Sequence, residues 1–270
     1  MDLSIVVLAF NAERHIDACM KSCLDTCSAL GLRYEILVVE NGSSDRTRAL
    51  LDAHAQRSPG IVPIYSPTNL GTTRSRNLAW AQAKGRHVLV LDVDATISAD
   101  ALGKLINVLD ASPSIGMAVP QLRYPDGRFQ VSADRIPSLT HKLRRLLFLR
   151  DMEKVAVAPS DVTPVQTAIS AAWLLKRSTI DTVGPLDEKI FYSPEDLDYC
   201  VRVWRAGLAI VYVPQAVATH DAQELSRSKK LNGFFARHAS GLLYFFRKYG
   251  CGLSTASLER ELRRANPQFP

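Results

Sequence analysis

The sequence predicts an α/β fold with a mostly parallel central sheet flanked by helices, and three observations carry that expectation. Apolar, β-branched runs alternate with segments of helical periodicity through the first half of the chain; strands joined by helical crossovers form parallel sheets. Polar and acidic residues gather where those runs end, at Phe10-Asn11, Glu40-Asn41-Gly42 and Asp92-Val93-Asp94, and such sheets bind ligands at the carboxyl ends of their strands. The 270 residues are 47% hydrophobic and 22% charged, which suits one domain with a full core.

Residues 4–10 read as the first strand, because Ser4 leads into an unbroken apolar run. A helix over 12–30 follows, with Ile16, Cys19, Met20, Cys23, Leu24 and Cys27 at helical spacing on one face. Cysteine packs as a small hydrophobe. The row lacks Cys-x-x-Cys spacing and a nearby histidine cluster, so these thiols belong in the core rather than on a metal, as do Cys200 and Cys251. Runs over 34–39, 62–65, 87–91 and 116–120 supply further strands, and 45–55, 72–83 and 99–109 the helices between them. The second half is less regular. Tyr124-Pro125-Asp126-Gly127-Arg128 signals a hairpin. A strand over 165–173 comes next, then a helix from Pro194 to about Ala206 that stops at Gly207, and a strand over 209–213. From Ser226 onward the residues read as basic amphipathic helices ending in a frayed Pro-Gln-Phe-Pro. The expected organisation is one domain over 1–225, with a helical basic extension over 226–270 packed on it.

The formal net charge of +6 is unevenly placed. Nine Lys and Arg lie between Arg227 and Pro270 against only Glu259 and Glu261, so the tail holds the whole excess. A second basic cluster at 141–150 mixes cations with bulky apolar residues. Such segments suit an anionic membrane surface, or form a solvated helix face. They carry no known nucleic-acid motif, so no nucleic-acid partner is expected. No apolar run reaches spanning length, and Met1-Asp2-Leu3-Ser4 has an acid where a signal peptide carries basic residues. The expected location is cytoplasmic, with peripheral contact at the inner face of the cell membrane left open.

Two acidic clusters could carry chemistry. Residues two apart in an extended segment share a face, so Asp92 and Asp94 converge as an apolar strand meets a loop. Hard oxygen ligands there suit a divalent cation with a substrate's phosphates; a solvated turn is the plainer alternative. In Ser193-Pro194-Glu195-Asp196-Leu197-Asp198, Ser193 suits an N-cap, Pro194 the first helical position and Asp196 a capping box. Asp198 and Arg202 are spaced to pair on the helix surface. Yet a carboxylate at a helix N-terminus is held ionised, which is the state a general base needs. Asn69-Leu70-Gly71 leads into a helix start bearing Arg74 and Arg76, a pattern suited to anions or to an ordinary loop. His220, after a strand-like segment, suits either a hydrogen-bonded histidine or a ligand.

Together these pieces resemble the nucleotide-sugar glycosyltransferases of family 2, with the GT-A fold. The resemblance rests on the first strand running into Phe10-Asn11, on Val38 to Asp45 as the nucleoside loop (with Glu40 where the family usually has Asp), and on Asn69-Leu70-Gly71 with Arg76-Asn77. It continues through Leu91 to Ala95, then Gly184 to Phe191 and Glu195-Asp196-Leu197-Asp198. Pro125-Asp126-Gly127, Arg135-x-Pro137-Ser138 and the late His220 are most similar to its rhamnosyltransferase branch. The resemblance implies that Asn41 contacts a pyrimidine base, with Ala9, Phe10, Asn11 and Glu40 lining the nucleoside pocket. Arg74 or Arg76 would hold the nucleotide, Asp92 with Val93 would meet the ribose or the metal, and Asp94 and His220 would bind a divalent metal, Mg or Mn. It implies Asp196 as catalytic base, Glu195 and Asp198 orienting the acceptor or the base, and Trp173 as an apolar wall for a sugar. The implied reaction is inverting transfer from a dTDP- or UDP-sugar to a saccharide or lipid-linked acceptor. A non-catalytic nucleotide-sugar binding module is the alternative.

Overall fold

The computed structural model describes residues 1–139, 141, 160–222 and 233–270. Most of the basic cluster at 141–150, and the basic residues at 227–230, lie outside the described residues. The first half builds β1 (Leu3–Ala9), α1 (Ile16–Ala29), β2 (Tyr34–Asn41), α2 (Thr47–Arg57), β3 (Ile61–Ser66), α3 (Gly71–Trp80) and β4 (His87–Asp92). β3, β2, β1 and β4 pair in that order, all parallel. β5 (Ala95–Ile97), α4 (Ala99–Asp110) and β6 (Ile115–Arg123) follow. The hairpin forms at the expected place: Gly127 adopts φ +84° and β6 turns back onto β7 (Phe129–Gln130).

The expected strand over 165–173 is not continuous. It breaks into β9 (Thr163–Pro164), β10 (Thr167–Ala168) and β11 (Ala172–Lys176), with β10 paired to β8 (Ala133–Asp134). The break has a local cause: the carbonyls of Val165 and Gln166 accept the indole N–H of Trp204 at 3.2 and 3.1 Å. β9 joins the main sheet at its margin, antiparallel to β12, while β11 enters its interior and runs antiparallel between β4 and β6. That insertion brings the carbonyl of Ala171 to the Asp92 N–H at 2.9 Å. α5 (Arg177–Val183), α6 (Glu195–Arg205) and β12 (Ala209–His220) complete the body, and β12 extends well past the expected 209–213. A register shift between Val213 and Val217 absorbs Pro214, which cannot donate to a ladder. Beyond it β12 reaches β5, and its last residue, His220, pairs with Ala95. The sheet order is β3-β2-β1-β4-β11-β6-β12-β5.

Alternation along the strands divides the core. Leu3, Ile5 and Val7 face α1 and α4, where Cys19, Cys23, Cys27, Leu102 and Leu105 are all buried. Val6, Val88 and Val90 face Trp80, Trp173, Tyr199 and Trp204. Two terminal helices, α7 (Gly233–Tyr249) and α8 (Ala256–Ala265), add Phe245, Leu258 and Leu262 to that second face. The last residues do not fray. Phe269 is 4% exposed with its ring 5.2 Å from that of Trp204, and the Pro270 carbonyl accepts from Gln166 at 3.1 Å. Burial of one such ring contributes about 2 kcal/mol, enough to hold a short tail in place. Among the described residues no helix is long and apolar enough to cross a membrane.

Candidate active site

Asp92 ends β4, Asp94 follows in the tight turn before β5, and His220 ends β12 beside it. Ligand atoms from the three residues lie within 4.8 Å of one another. His220 Nε2 stands 3.4 Å from Asp94 Oδ1, while its Nδ1 lies 3.0 Å from Oε1 of Gln130. An amide oxygen only accepts, so Nδ1 carries a proton and Nε2 is the atom aimed at the acids. A fixed outer partner of this kind is how ligating histidines are oriented. Burial works against charge on His220, but the hydrogen bond to Asp94 and the charges of Asp92 and Asp94 hold its pKa above the usual value. Burial raises the Asp92 carboxyl, Arg76 opposes that, and the nearby Asp94 charge adds to it. Two carboxylates and an imidazole are a fitting donor set for Mn²⁺ or a similar divalent cation.

Arg76 joins this cluster to the start of α6. Its side chain is 3% exposed, and one guanidinium reaches Asp92 Oδ1 at 2.6 Å, Ser170 Oγ at 2.7 Å and Glu195 Oε1 at 3.3 Å. Ser170 in turn donates to Glu195 at 3.0 Å. Burial pushes the Glu195 carboxyl up to about 8, with the neighbouring Asp196 adding to it against the pull of Arg76. Tyr192 is pushed up to about 12 by burial and by the charges of Glu195, Asp92 and Asp94. Asp196 is half-buried and faces a cavity of about 120 Å³ that Ser132, Thr167, Arg135 and His141 also line.

The start of α6 is braced from the chain's far end. Gly241 of α7 lies so close that a Cβ there would meet the Ser193 carbonyl at 2.1 Å. Lys248 Nζ reaches Asp187 at 2.7 Å and Asp198 at 2.6 Å. Tyr244 and Tyr249 donate to the same two carboxylates, each at 2.8 Å. Burial opposes charge on Asp187, but the bonds from Lys248 and Tyr244 hold its carboxyl below the usual range.

The structure thus brings Asp92, Asp94, His220, Arg76 and Glu195 into one place, and Asp196, the residue after Glu195, lines the neighbouring cavity with Ser132 and Thr167. Several other expectations change. Asp198 is 1% exposed and turned to α7, so it anchors the helix instead of orienting an acceptor; Arg202 is only a secondary partner at 3.8 Å. Trp173 is fully buried and stacked on Tyr199, which leaves no face for a sugar. Arg74 pairs with the exposed Glu188 at 3.3 Å and contacts neither acidic cluster. The first N–H groups of α3 are not open to an anion, since Thr72 donates to the Phe191 carbonyl at 2.7 Å. Asn41 is 2% exposed and its amide is taken up by Asn69 and the Leu70 N–H, so it shapes the loop rather than meeting a base. Ala9 and Glu40 are buried too, and Glu40 holds the Ser43 N–H at 2.6 Å. Val93 packs against the core. Phe10 and Asn11 remain at the rim, where Asn11 accepts from the Ser44 N–H at 2.9 Å. No side chain caps α6, so Ser193 is not an N-cap and the capping box falls away. The sequence reading missed Gln130, Ser170 and Lys248, none of which stands in a motif; their roles depend on contacts 90, 25 and 50 residues away.

A largely parallel sheet with an acid–histidine cluster at its carboxyl edge is the architecture of the GT-A glycosyltransferases. The model of glycosyl transferase family 2 matches residues 4–184, and the chain belongs to that family. The match ends before α6, so Glu195 and Asp196 are placed by the structure alone. Among curated relatives, the N-acetylglucosaminyl-diphospho-decaprenol L-rhamnosyltransferase of Mycobacterium tuberculosis is 24% identical over 261 residues, covering 90% of this chain and 83% of the relative. Among solved structures, the mannosyltransferase PcManGT of Pyrobaculum calidifontis, in complex with GDP-Man and Mn²⁺, superposes with a TM-score of 0.63 at 18% identity, covering 97% of this chain and 68% of that one. TarS of S. aureus gives 0.60 at 16% identity; 98% of this chain is covered, yet it spans only 43% of the TarS chain. These likenesses show the fold.

Proposed function

We propose that the protein is an inverting, metal-dependent glycosyltransferase that moves L-rhamnose from a dTDP- or UDP-linked donor to a saccharide hydroxyl. The acceptor is a saccharide or a lipid-linked saccharide, and the setting is synthesis of a cell-surface polysaccharide at the inner face of the membrane. One observation carries the reading: a single buried guanidinium, Arg76, spans Asp92 at 2.6 Å and Glu195 at 3.3 Å. This contact supports reading the acid–histidine cluster and the start of α6, where Glu195 is followed by Asp196, as the two sides of one site. Rhamnose is supported by the mycobacterial relative and by the Arg135-x-Pro137-Ser138 and His220 pattern.

Asp92, Asp94 and His220 would hold the cation, which supplies Lewis-acid neutralisation of charge on the departing diphosphate. Asp196 takes the proton of an acceptor hydroxyl, whose oxygen attacks the anomeric carbon from the face opposite the nucleotide. The bond to the diphosphate breaks with its electron pair leaving on oxygen, and configuration inverts. Burial and the adjacent Asp196 raise the Glu195 carboxyl above the usual range, which favours Asp196 over Glu195 as the base at neutral pH. The place of Glu195 is to fix Ser170 and Arg76, and through them Asp92. Asp196→Asn is expected to keep donor affinity within about twofold while transfer falls by about 10²–10⁴, the usual worth of a general base. Donor titration and product formation by NMR read both quantities. Near-normal turnover would remove Asp196 from the mechanism, and a retained anomeric configuration would exclude the single displacement.

A further inference from the structure

Two cavities share Asp134 and Arg135 as lining residues, and Asp196 lines one of them. The smaller is the one Asp196 faces. The larger, about 500 Å³, is walled by Phe129, Val165 and Tyr212, with Arg263 and Pro270 from the chain end, and falls in the size range of ligand sites. Each holds a buried hydroxyl that has no hydrogen-bond partner among the described residues: Ser132 Oγ in the smaller, at 5% exposure, and Tyr212 Oη in the larger, at 1%. Buried polar groups are normally hydrogen-bonded, and an orphan at a cavity wall marks a place where a ligand can supply the partner. Arg135 stands at the junction, exposed. Its backbone N–H donates to Asp134 at 2.7 Å, while its guanidinium has no hydrogen bond or ion pair among the described residues. The Asp134 carboxylate is engaged by His141 at 3.1 Å.

We propose that the acceptor carries a phosphate or diphosphate ester on the sugar that presents the attacked hydroxyl, and that Arg135 binds this group at the junction of the two cavities. The inference rests on Asp196 being the base that faces the acceptor. A neutral saccharide would need hydroxyl partners and apolar walls, but not an unpaired guanidinium between them. Arginine suits the task because its planar fork matches a phosphate in bidentate fashion. From Asp196 outward the order is sugar, anion, then the apolar wall of Phe129, Val165 and Tyr212. That order fits a saccharide esterified through diphosphate to a prenyl chain; a phosphodiester-linked polymer offers the same anion without the apolar continuation.

The test is calorimetric binding of three probes to the full chain with nucleoside diphosphate and Mn²⁺ present. They are methyl N-acetylglucosaminide, N-acetylglucosaminyl diphosphate with a short prenyl tail, and N-acetylglucosaminyl phosphate esterified to a polyol. Wild-type protein should bind a phosphorylated probe at least about tenfold tighter than the neutral one, the scale of a charge-assisted contact. Arg135→Gln should bring that ratio near one, Arg135→Lys should restore part of it, and neither should change the melting temperature. Preference for the tailed probe assigns the anion to a lipid carrier, and equal binding of both esters assigns it to a polymer; either supports an anionic acceptor. A wild-type ratio near one, or a ratio that survives Arg135→Gln, overturns the proposal. Because the readout is binding, the two failures are distinguishable: a ratio near one with transfer intact overturns this inference alone, whereas an Arg135-dependent ratio without any sugar transfer overturns the transferase reading and leaves only an anion-binding site at Arg135.

Discussion

Asp92 and Asp94 stand at the end of a strand whose neighbours within its own half of the sheet are fixed by parallel pairing, while Glu195 and Asp196 begin a helix held by residues some fifty positions downstream. The proposed donor side needs little beyond the strand-end geometry of an α/β sheet. The proposed acceptor side depends on α7, on its Gly241 against Ser193, and on Lys248 between two carboxylates. The difference teaches that the C-terminal helices are part of the site's frame. Whatever else their charge does, they fix the helix that carries Asp196.

Separating the two halves by mutation is the direct way to break that comparison. Lys248→Met removes the cation from Asp198, a carboxylate only 1% exposed, and stripping one partner from a buried pair costs about 3 kcal/mol. The urea midpoint and the transfer rate should both fall, while Mn²⁺-dependent donor binding persists. A loss below about 1 kcal/mol, the range of exposed ion pairs, would mean that α7 does not brace α6.

Glu195→Gln sharpens the same contrast through pH. The Glu195 carboxyl is raised to about 8 in the folded protein, so the unfolded chain ionises first as pH rises from about 4.5. Wild-type stability should therefore drop between pH 4.5 and 8 relative to Glu195→Gln, and the difference between the two should level off above that window. Melting curves of both proteins without metal, at pH 5 and pH 8, measure it. A difference independent of pH would show that Glu195 is ionised throughout. The smallest effect belongs to Arg74→Ala. Arg74 makes an exposed pair with Glu188, worth about 1 kcal/mol at most, so donor affinity should stay within about twofold. A tenfold loss in titration would return Arg74 to the nucleotide site.

The same contrast decides what the sequence makes legible. Unbroken apolar runs mark β1, β2 and β4, because these strands are buried on both faces, and helical periodicity marks α1 to α4, which bury one face each. Asp92 and Asp94 are visible for the same reason. The antiparallel entry of β11 between β4 and β6 is not visible, since an apolar segment carries no sign of its direction. Nor is the bulge that lets β12 carry His220 to Ala95. Trp173, Asp198 and Asn41 have residue types that suit ligand contact, yet each is buried and committed to the protein. Residue type speaks to what a side chain can do, and only packing says which way it faces. The membership in family 2 and the GT-A fold were both readable from the order of short motifs.

The central claim is that Asp92, Asp94 and His220 hold the cation through which a nucleoside diphosphate binds. Its most direct measurement is the melting temperature of wild type and Asp94→Ala with dTDP, with Mn²⁺, and with both. Wild-type protein should show a rise with the pair that exceeds the sum of the separate rises, because a ligand that binds only the native state stabilises it. Asp94→Ala should lose that excess while its own melting point without ligands stays close to wild type. An undiminished excess in Asp94→Ala would contradict a metal site at this cluster.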